Sequence, residues 1–75
     1  MSFEYKIAFR VPDPADVERS LDRFRMQFSD ADCIVALEVD GFYFCDHTKT
    51  EQSCRAFRWL VDEALVCSEV VVREL

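Results

Sequence analysis

The sequence predicts an α+β fold in which a four-stranded antiparallel sheet carries two helices on one of its faces. Three observations lead to this prediction. Alternating apolar and polar residues mark the strands, apolar repeats at helical spacing mark the helices, and the elements follow the order strand, helix, strand, strand, helix, strand. With 75 residues, one glycine and two prolines, the chain has no linker-like stretch and is interpreted as a single domain, residues 1–75.

The first strand is predicted in the segment FEYKIAFRV, residues 3–11. Its odd-numbered residues are all aromatic or aliphatic, and its even-numbered residues are small or charged. Because successive side chains of a strand point to opposite sides, this pattern indicates one buried face and one exposed face. The residues expected on the exposed face are Glu4, Lys6, Ala8 and Arg10.

The first helix is predicted to begin directly after Asp13. Aspartate is a favoured N-cap, and Pro14 suits the first helical position because its missing N–H has no partner there. Apolar residues then recur every three or four positions, which is typical of a helix with one buried stripe. That stripe is expected to comprise Val17, Leu21, Phe24 and Phe28.

A hairpin is predicted where CIVALEV and FYFCDH flank Asp40 and Gly41. Asp-Gly between alternating apolar runs is typical of a type I′ turn. A turn at these two residues would place Val39 opposite Phe42. Continuing this register, we expect one side of the hairpin to carry Ile34, Ala36, Glu38, Tyr43, Cys45 and His47.

The second helix is predicted from a cap at Thr48 or Thr50 to about Cys67, followed by a closing strand in EVVVREL. Right-handed crossovers then stack both helices on one side of the sheet, with the first and third strands central. The result is a two-layer ferredoxin-like sandwich, βαββαβ. The inner arc of the second helix is expected to comprise Cys54, Phe57, Leu60, Val61, Ala64 and Leu65.

The charge of the chain restricts its partners. Fifteen acidic and nine basic residues give a net charge of -6, which disfavours nucleic acid and anionic membrane surfaces. No secretory signal pattern and no run of about 18 apolar residues is present, so we expect a cytoplasmic protein with no membrane segment. Its four cysteines are expected to be thiols, although Cys33 and Cys54 are both predicted to face the core, where they could pair.

Cys45, Asp46 and His47 form the densest group of reactive side chains. Strand alternation sends Cys45 and His47 to the exposed face and Asp46 toward the helices, and the chain contains no C-x-x-C pair to complete a zinc site. Two residues apart on a strand, a Cys nucleophile and a His base would be roughly 7 Å apart, too far for proton transfer. We therefore predict no metal, no cofactor and no enzyme activity, and keep a small Cys/His metal protein or enzyme as the third hypothesis.

Several functions of this architecture require residues that the chain lacks. RNA-recognition domains stack bases on exposed aromatic residues of the first and third strands, and here only Tyr43 is available. A phosphate-binding cradle after the first strand would need glycines and an arginine, but the sequence there is VPDPAD.

The first hypothesis is therefore a non-enzymatic protein-binding domain that acts through the uncovered sheet face, on another protein or as a homodimer. An apolar centre with a charged rim is expected there, the rim including Lys6 and Arg73 and the centre including Val71. The candidate binding residues are Ala8, Arg10, Ile34, Ala36, Glu38, Tyr43, Cys45 and His47.

Two other surfaces are candidates. On the second helix, Trp59 beside arginines has the composition of a binding hot spot, or else covers the core as a lid. On the first helix, an acidic group suggests the second hypothesis, an acidic inhibitor or regulator of a nucleic-acid-handling protein. The helix 2 group comprises Arg55, Arg58, Trp59, Asp62 and Val66, and the acidic group comprises Asp13, Asp16, Glu18 and Asp22.

Overall fold

A computed structural model describes residues 2–75 and confirms the predicted ferredoxin-like sandwich. The sheet is antiparallel with strand order β2-β3-β1-β4, so β1 and β3 are central as predicted. Along the chain, the helices and strands follow one another in the predicted order. The elements are β1 (Phe3–Ala8), α1 (Pro14–Gln27), β2 (Cys33–Glu38), β3 (Gly41–Asp46), α2 (Glu51–Cys67) and β4 (Val71–Glu74).

The core lies between one face of the sheet and the two helices. Ile7 of β1 and Phe42 and Phe44 of β3 pack there against Leu21 of α1 and Leu60 of α2, all at most 1% exposed. Each such side chain contributes about 1.5–3 kcal/mol when it leaves water. The alternation predicted for β1 and β3 therefore places the large apolar side chains on the face that the helices cover.

Both helices begin at capping residues that satisfy free backbone N–H groups. The Asp13 carboxylate accepts a hydrogen bond from the Ala15 amide at 3.0 Å, which confirms the predicted cap of α1. Of the two threonines predicted as alternative caps of α2, the structure selects Thr50, whose hydroxyl accepts from the Ser53 amide at 3.2 Å. Neither helix within residues 2–75 has both the length and the apolar character needed to cross a bilayer.

The buried face of α2 differs from the predicted arc. Cys54 is exposed and Leu65 is 56% exposed, so the prediction that these residues face the core is wrong. Leu60 and Ala64 are buried and Phe57 and Val61 half-buried, as predicted, and Ser53 and Ala56 complete the buried face in place of Cys54 and Leu65. The buried Ser53 hydroxyl donates to the Thr50 carbonyl at 2.9 Å, which satisfies its hydrogen-bonding capacity inside the core.

The hairpin register is two residues away from the predicted one. Glu38 pairs with Gly41, so the turn consists of Val39 and Asp40, and Val39 is 95% exposed instead of pairing with Phe42. The turn is not type I′, because Lys49 is the only non-glycine residue with positive φ among residues 2–75. Since the shift is even, the side chains of residues 34–38 and 42–46 still point to their predicted faces, whereas Val39 moves from the core face into the turn.

Candidate interaction surface on the open sheet face

One face of the sheet is covered by no helix, and we call it the open face. The strand pairings arrange its side chains in three rows that cross the sheet. The rows are Ile34, Cys45 and Glu4; then Ala36, Tyr43, Lys6 and Arg73; and finally Glu38, Gly41, Ala8 and Val71. This surface contains most of the residues predicted for binding, and the strand pairings do not extend to Arg10 and His47.

Lys6 occupies the centre of the open face and not its rim. It belongs to the central strand β1, lies in the middle row, and is only 7% exposed. Its Nζ forms ion pairs with Glu38 at the end of β2 and with Asp40 in the turn between β2 and β3. The prediction that Lys6 belongs to the charged rim is therefore wrong, and the lysine with its two carboxylates divides the apolar centre.

These ion pairs shift the pKa values of Lys6 and Asp40. Hydrogen bonds to Asp40 and then Glu38 raise the pKa of Lys6 above its usual value. The hydrogen bond from Lys6 likewise lowers the pKa of Asp40. Lys6 is thus protonated and Asp40 ionised at neutral pH.

Replacing Lys6 by methionine is expected to raise the pKa of Asp40 toward its ordinary value. The stability that the depressed Asp40 pKa provides is present above the unfolded-state value of about 3.9 and is lost as the pH falls through the folded-state value. A pH titration of the Asp40 carboxyl carbon by NMR measures this directly. Lys49→Met is the matched control because Lys49 contacts the Phe3 ring, with its Nζ 4.3 Å from the ring centroid, and Asp40 pairs with Lys6 instead. Equal Asp40 pKa values in the wild type and in Lys6→Met would contradict the assignment.

Tyr43 is the largest side chain of the open face. Its hydroxyl donates a hydrogen bond to Glu4 Oε1 at 2.6 Å, which holds the half-buried phenol across β3 and β1. This bond, together with burial, raises the pKa of Tyr43 above its usual value, so the phenol stays neutral over the physiological range. A neutral, positioned tyrosine offers apolar area and a polar edge at little conformational cost.

The exposed apolar area divides into two parts on either side of Tyr43 and Lys6. Near β2, Ile34 is 53% exposed and Ala36 is half-buried beside it. Near β4, Val71 is 60% exposed next to Ala8. Cys45, predicted to be displayed, lies on the open face but is buried, so its thiol adds little to the accessible surface.

The Cys45, Asp46 and His47 side chains diverge, as alternation predicted for Asp46. The buried Asp46 carboxylate accepts hydrogen bonds from the Thr48 amide at 3.2 Å and the Lys49 amide at 2.8 Å, which gives it a turn-stabilising role. His47 Nδ1 lies 3.7 Å from the Asp32 carboxylate. Within residues 2–75, no group of three or more His, Cys, Asp or Glu residues converges as a metal site would require.

The cysteines are free thiols in different environments. Cys33 is half-buried against the core, as predicted, and burial followed by the nearby Asp46 raises the pKa of its thiol. Cys54, predicted to lie near it in the core, is exposed. A raised pKa keeps Cys33 protonated and weakly nucleophilic at neutral pH.

The helix 2 group is partly structural. Trp59 packs against α1, with its ring centroid 5.7 Å from that of Phe24 and 6.4 Å from that of Phe28. This supports its interpretation as a lid on the edge of the core. Val66 is 85% exposed, and Arg55 pairs with Glu51 at 2.8 Å. Arg58, Trp59 and Asp62 line a groove of about 340 Å³ between the helices.

The acidic group on α1 has local partners. Asp13 caps the helix, and Asp16 pairs with Arg19. Arg25 lies 3.4 Å from Asp22 and 3.9 Å from Glu18. Capping and pairing with arginines on the same helix weaken the negative field that an imitation of nucleic acid would need.

No family model, curated protein or solved structure matches the chain. The residue that the sequence interpretation placed least well is Lys6: its position at the middle of a central strand was the available signal that it would lie at the centre of the open face.

Proposed function

We propose that this chain is a binding domain of the cytoplasm, with no catalytic chemistry, that associates with another protein through the open face. The observation that carries the proposal is the exposure of Ile34 beside Tyr43 and Ala36 on a sheet face that no helix covers. An exposed aliphatic residue next to a positioned tyrosine is typical of the centre of a protein interface.

The charges around this apolar part favour a specific orientation of the partner. Lys6 is held between Glu38 and Asp40, so it is already neutralised within the domain. A partner surface therefore gains by burying Ile34 and Tyr43 without leaving Lys6 as an uncompensated buried charge. Polar groups near the cluster then select the register in which the partner docks.

The test compares three single variants as bait in a pull-down from the native host at moderate salt. Tyr43→Lys and Ile34→Lys are expected to lose the partner while keeping the wild-type circular dichroism spectrum. Met26→Lys, at a residue of α1 that is 82% exposed, is the matched control and is expected to recover the partner as the wild type does. Recovery of the same protein at equal yield by both open-face variants would contradict the proposal.

The same pull-down, repeated at low and at moderate salt, distinguishes this proposal from the acidic-inhibitor hypothesis. Binding through Asp16 and Glu18 of α1 would weaken steeply with salt and with reversal of those charges. Binding through the apolar part of the open face would change little with salt, because it depends on buried area.

A further inference from the structure

The edge strand β4, taken with the two residues that precede it, has a self-complementary sequence. One side of β4 pairs with β1, and the other side pairs with no strand within residues 2–75. All four of its residues are exposed, with Val71 at 60% and Val72 at 44%. The segment 69–73 reads Glu-Val-Val-Val-Arg, which contains no proline and carries its charged residues only at its two ends.

We propose that a second copy of this chain pairs with the free edge of β4, antiparallel, about a twofold axis at Val71. In that register Glu69 lies opposite Arg73 of the second copy, Arg73 lies opposite Glu69 of the second copy, and valines face valines between them. Neither charged residue forms an ion pair within residues 2–75. The edge therefore presents two unpaired charges of opposite sign, and their spacing brings each one opposite its counterpart in the second copy.

The backbone of β4 has the orientation that this register requires. The Leu75 amide donates to the Glu4 carbonyl at 2.9 Å, which fixes the alternation of the ladder with β1. Arg73 and Val71 consequently direct their backbone groups to β1, and Val72 and Val70 direct theirs to the free edge. In the proposed register Val70 meets Val72 of the second copy, so the residues that face each other are those with free backbone groups.

The side chains also fit. Glu69 and Arg73 form pairs without backbone hydrogen bonds, in which Cα atoms approach to about 4.5 Å and side chains are closest. Arg73 and Val71 lie on the open face, beside Lys6 and Ala8. The two sheets would thus join into one continuous sheet with both open faces on the same side.

Other pairings are less complementary. Centring the axis on Val72 places Arg73 opposite a valine, and centring it on Arg73 places two arginines together. The opposite edge of the sheet is β2, where pairing about Val35 would bring Asp32 against Glu38 of the second copy. Like charges directly opposite each other destabilise a strand pair.

The experiment is a charge exchange followed by sedimentation velocity over low-micromolar to millimolar concentrations. Wild type is expected to dimerise. Glu69→Arg and Arg73→Glu each place like charges opposite one another twice per dimer, and each is expected to weaken the dimer by roughly tenfold or more. The double variant Glu69→Arg/Arg73→Glu is expected to dimerise again, and an equimolar mixture of the two single variants is expected to form heterodimers.

Asp30→Arg is the matched control, because it changes the net charge as Glu69→Arg does at a loop residue outside the sheet. It is expected to dimerise like the wild type. A monomeric wild type over the whole range, or single variants as dimeric as the wild type, would overturn the proposal. This outcome is independent of partner binding through Ile34 and Tyr43, since the strand edge does not include those residues.

Discussion

Gly41→Ala is expected to destabilise the fold by roughly 3 kcal/mol or more, enough to unfold much of the population. Gly41 has φ of +144°, a conformation that costs other residues about 1–3 kcal/mol. A Cβ there would lie 2.1 Å from the Ile7 carbonyl oxygen and 3.0 Å from Ala8 Cα. These are backbone atoms of the central strand, so relieving the contact would separate β1 from β3.

A domain of this size has only about 3–5 kcal/mol of net stability. The addition of one methyl group can therefore remove most of its free energy of unfolding. Urea denaturation followed by circular dichroism measures the free energy of unfolding. Ala36→Ser is the matched control: it adds one heavy atom to the same face of the neighbouring strand and is expected to change stability by less than about 1 kcal/mol. An unfolding midpoint for Gly41→Ala equal to that of the wild type would show that the close approach is not required.

Gly41 also explains why the sequence predicted the hairpin but not its register. Asp-Gly is a turn signal because glycine adopts positive φ in a type I′ turn. Here glycine is needed one step later, inside β3, where the chain passes the Ile7 carbonyl and the Asp40 backbone carbonyl accepts a hydrogen bond from the Phe9 amide at 3.1 Å. A contact with a third strand is not encoded locally, so the pattern at residues 35–46 could not reveal it.

The faces of the sheet were predictable because alternation along a strand is a local property. Every open-face side chain of β1 and the hairpin points where its parity placed it, even with the register shifted. Alternation could not predict which side chains of that face would be exposed and which would be covered by their neighbours. The burial of Lys6 depends on carboxylates of Glu38 and Asp40, which are more than thirty residues away.

The prediction of the buried face of α2 was partly wrong for a different reason. Choosing the buried face by apolar character favours Cys54 and Leu65 over Ser53 and Ala56. The first turns of α2 instead bury the small side chains of Ser53 and Ala56, and the Ser53 hydroxyl donates to the Thr50 carbonyl. Small residues at helical spacing were the available signal for this face.

Phe44→Ala is expected to lower the free energy of unfolding by roughly 3–5 kcal/mol. Phe44 is 1% exposed, and its ring centroid lies 5.4 Å from that of Phe57, which in turn lies 5.1 Å from that of Tyr5. Removing the ring takes from Phe57 one of its two aromatic neighbours and leaves a cavity between β3 and α2. A hollow of about 170 Å³ already adjoins Phe44 beneath the first turns of α2, so the deletion would connect this hollow with the core.

The measurement is again urea denaturation, with Phe44→Leu as the conservative comparison, expected to retain most of the stability because the apolar volume is largely kept. A loss below about 1 kcal/mol for Phe44→Ala would contradict the assignment of Phe44 to the core. Phe44 and Tyr43 are neighbours in sequence but lie on opposite faces of β3. Phe44→Ala should therefore reduce stability without changing the partner affinity of molecules that remain folded, and Tyr43→Lys should do the reverse.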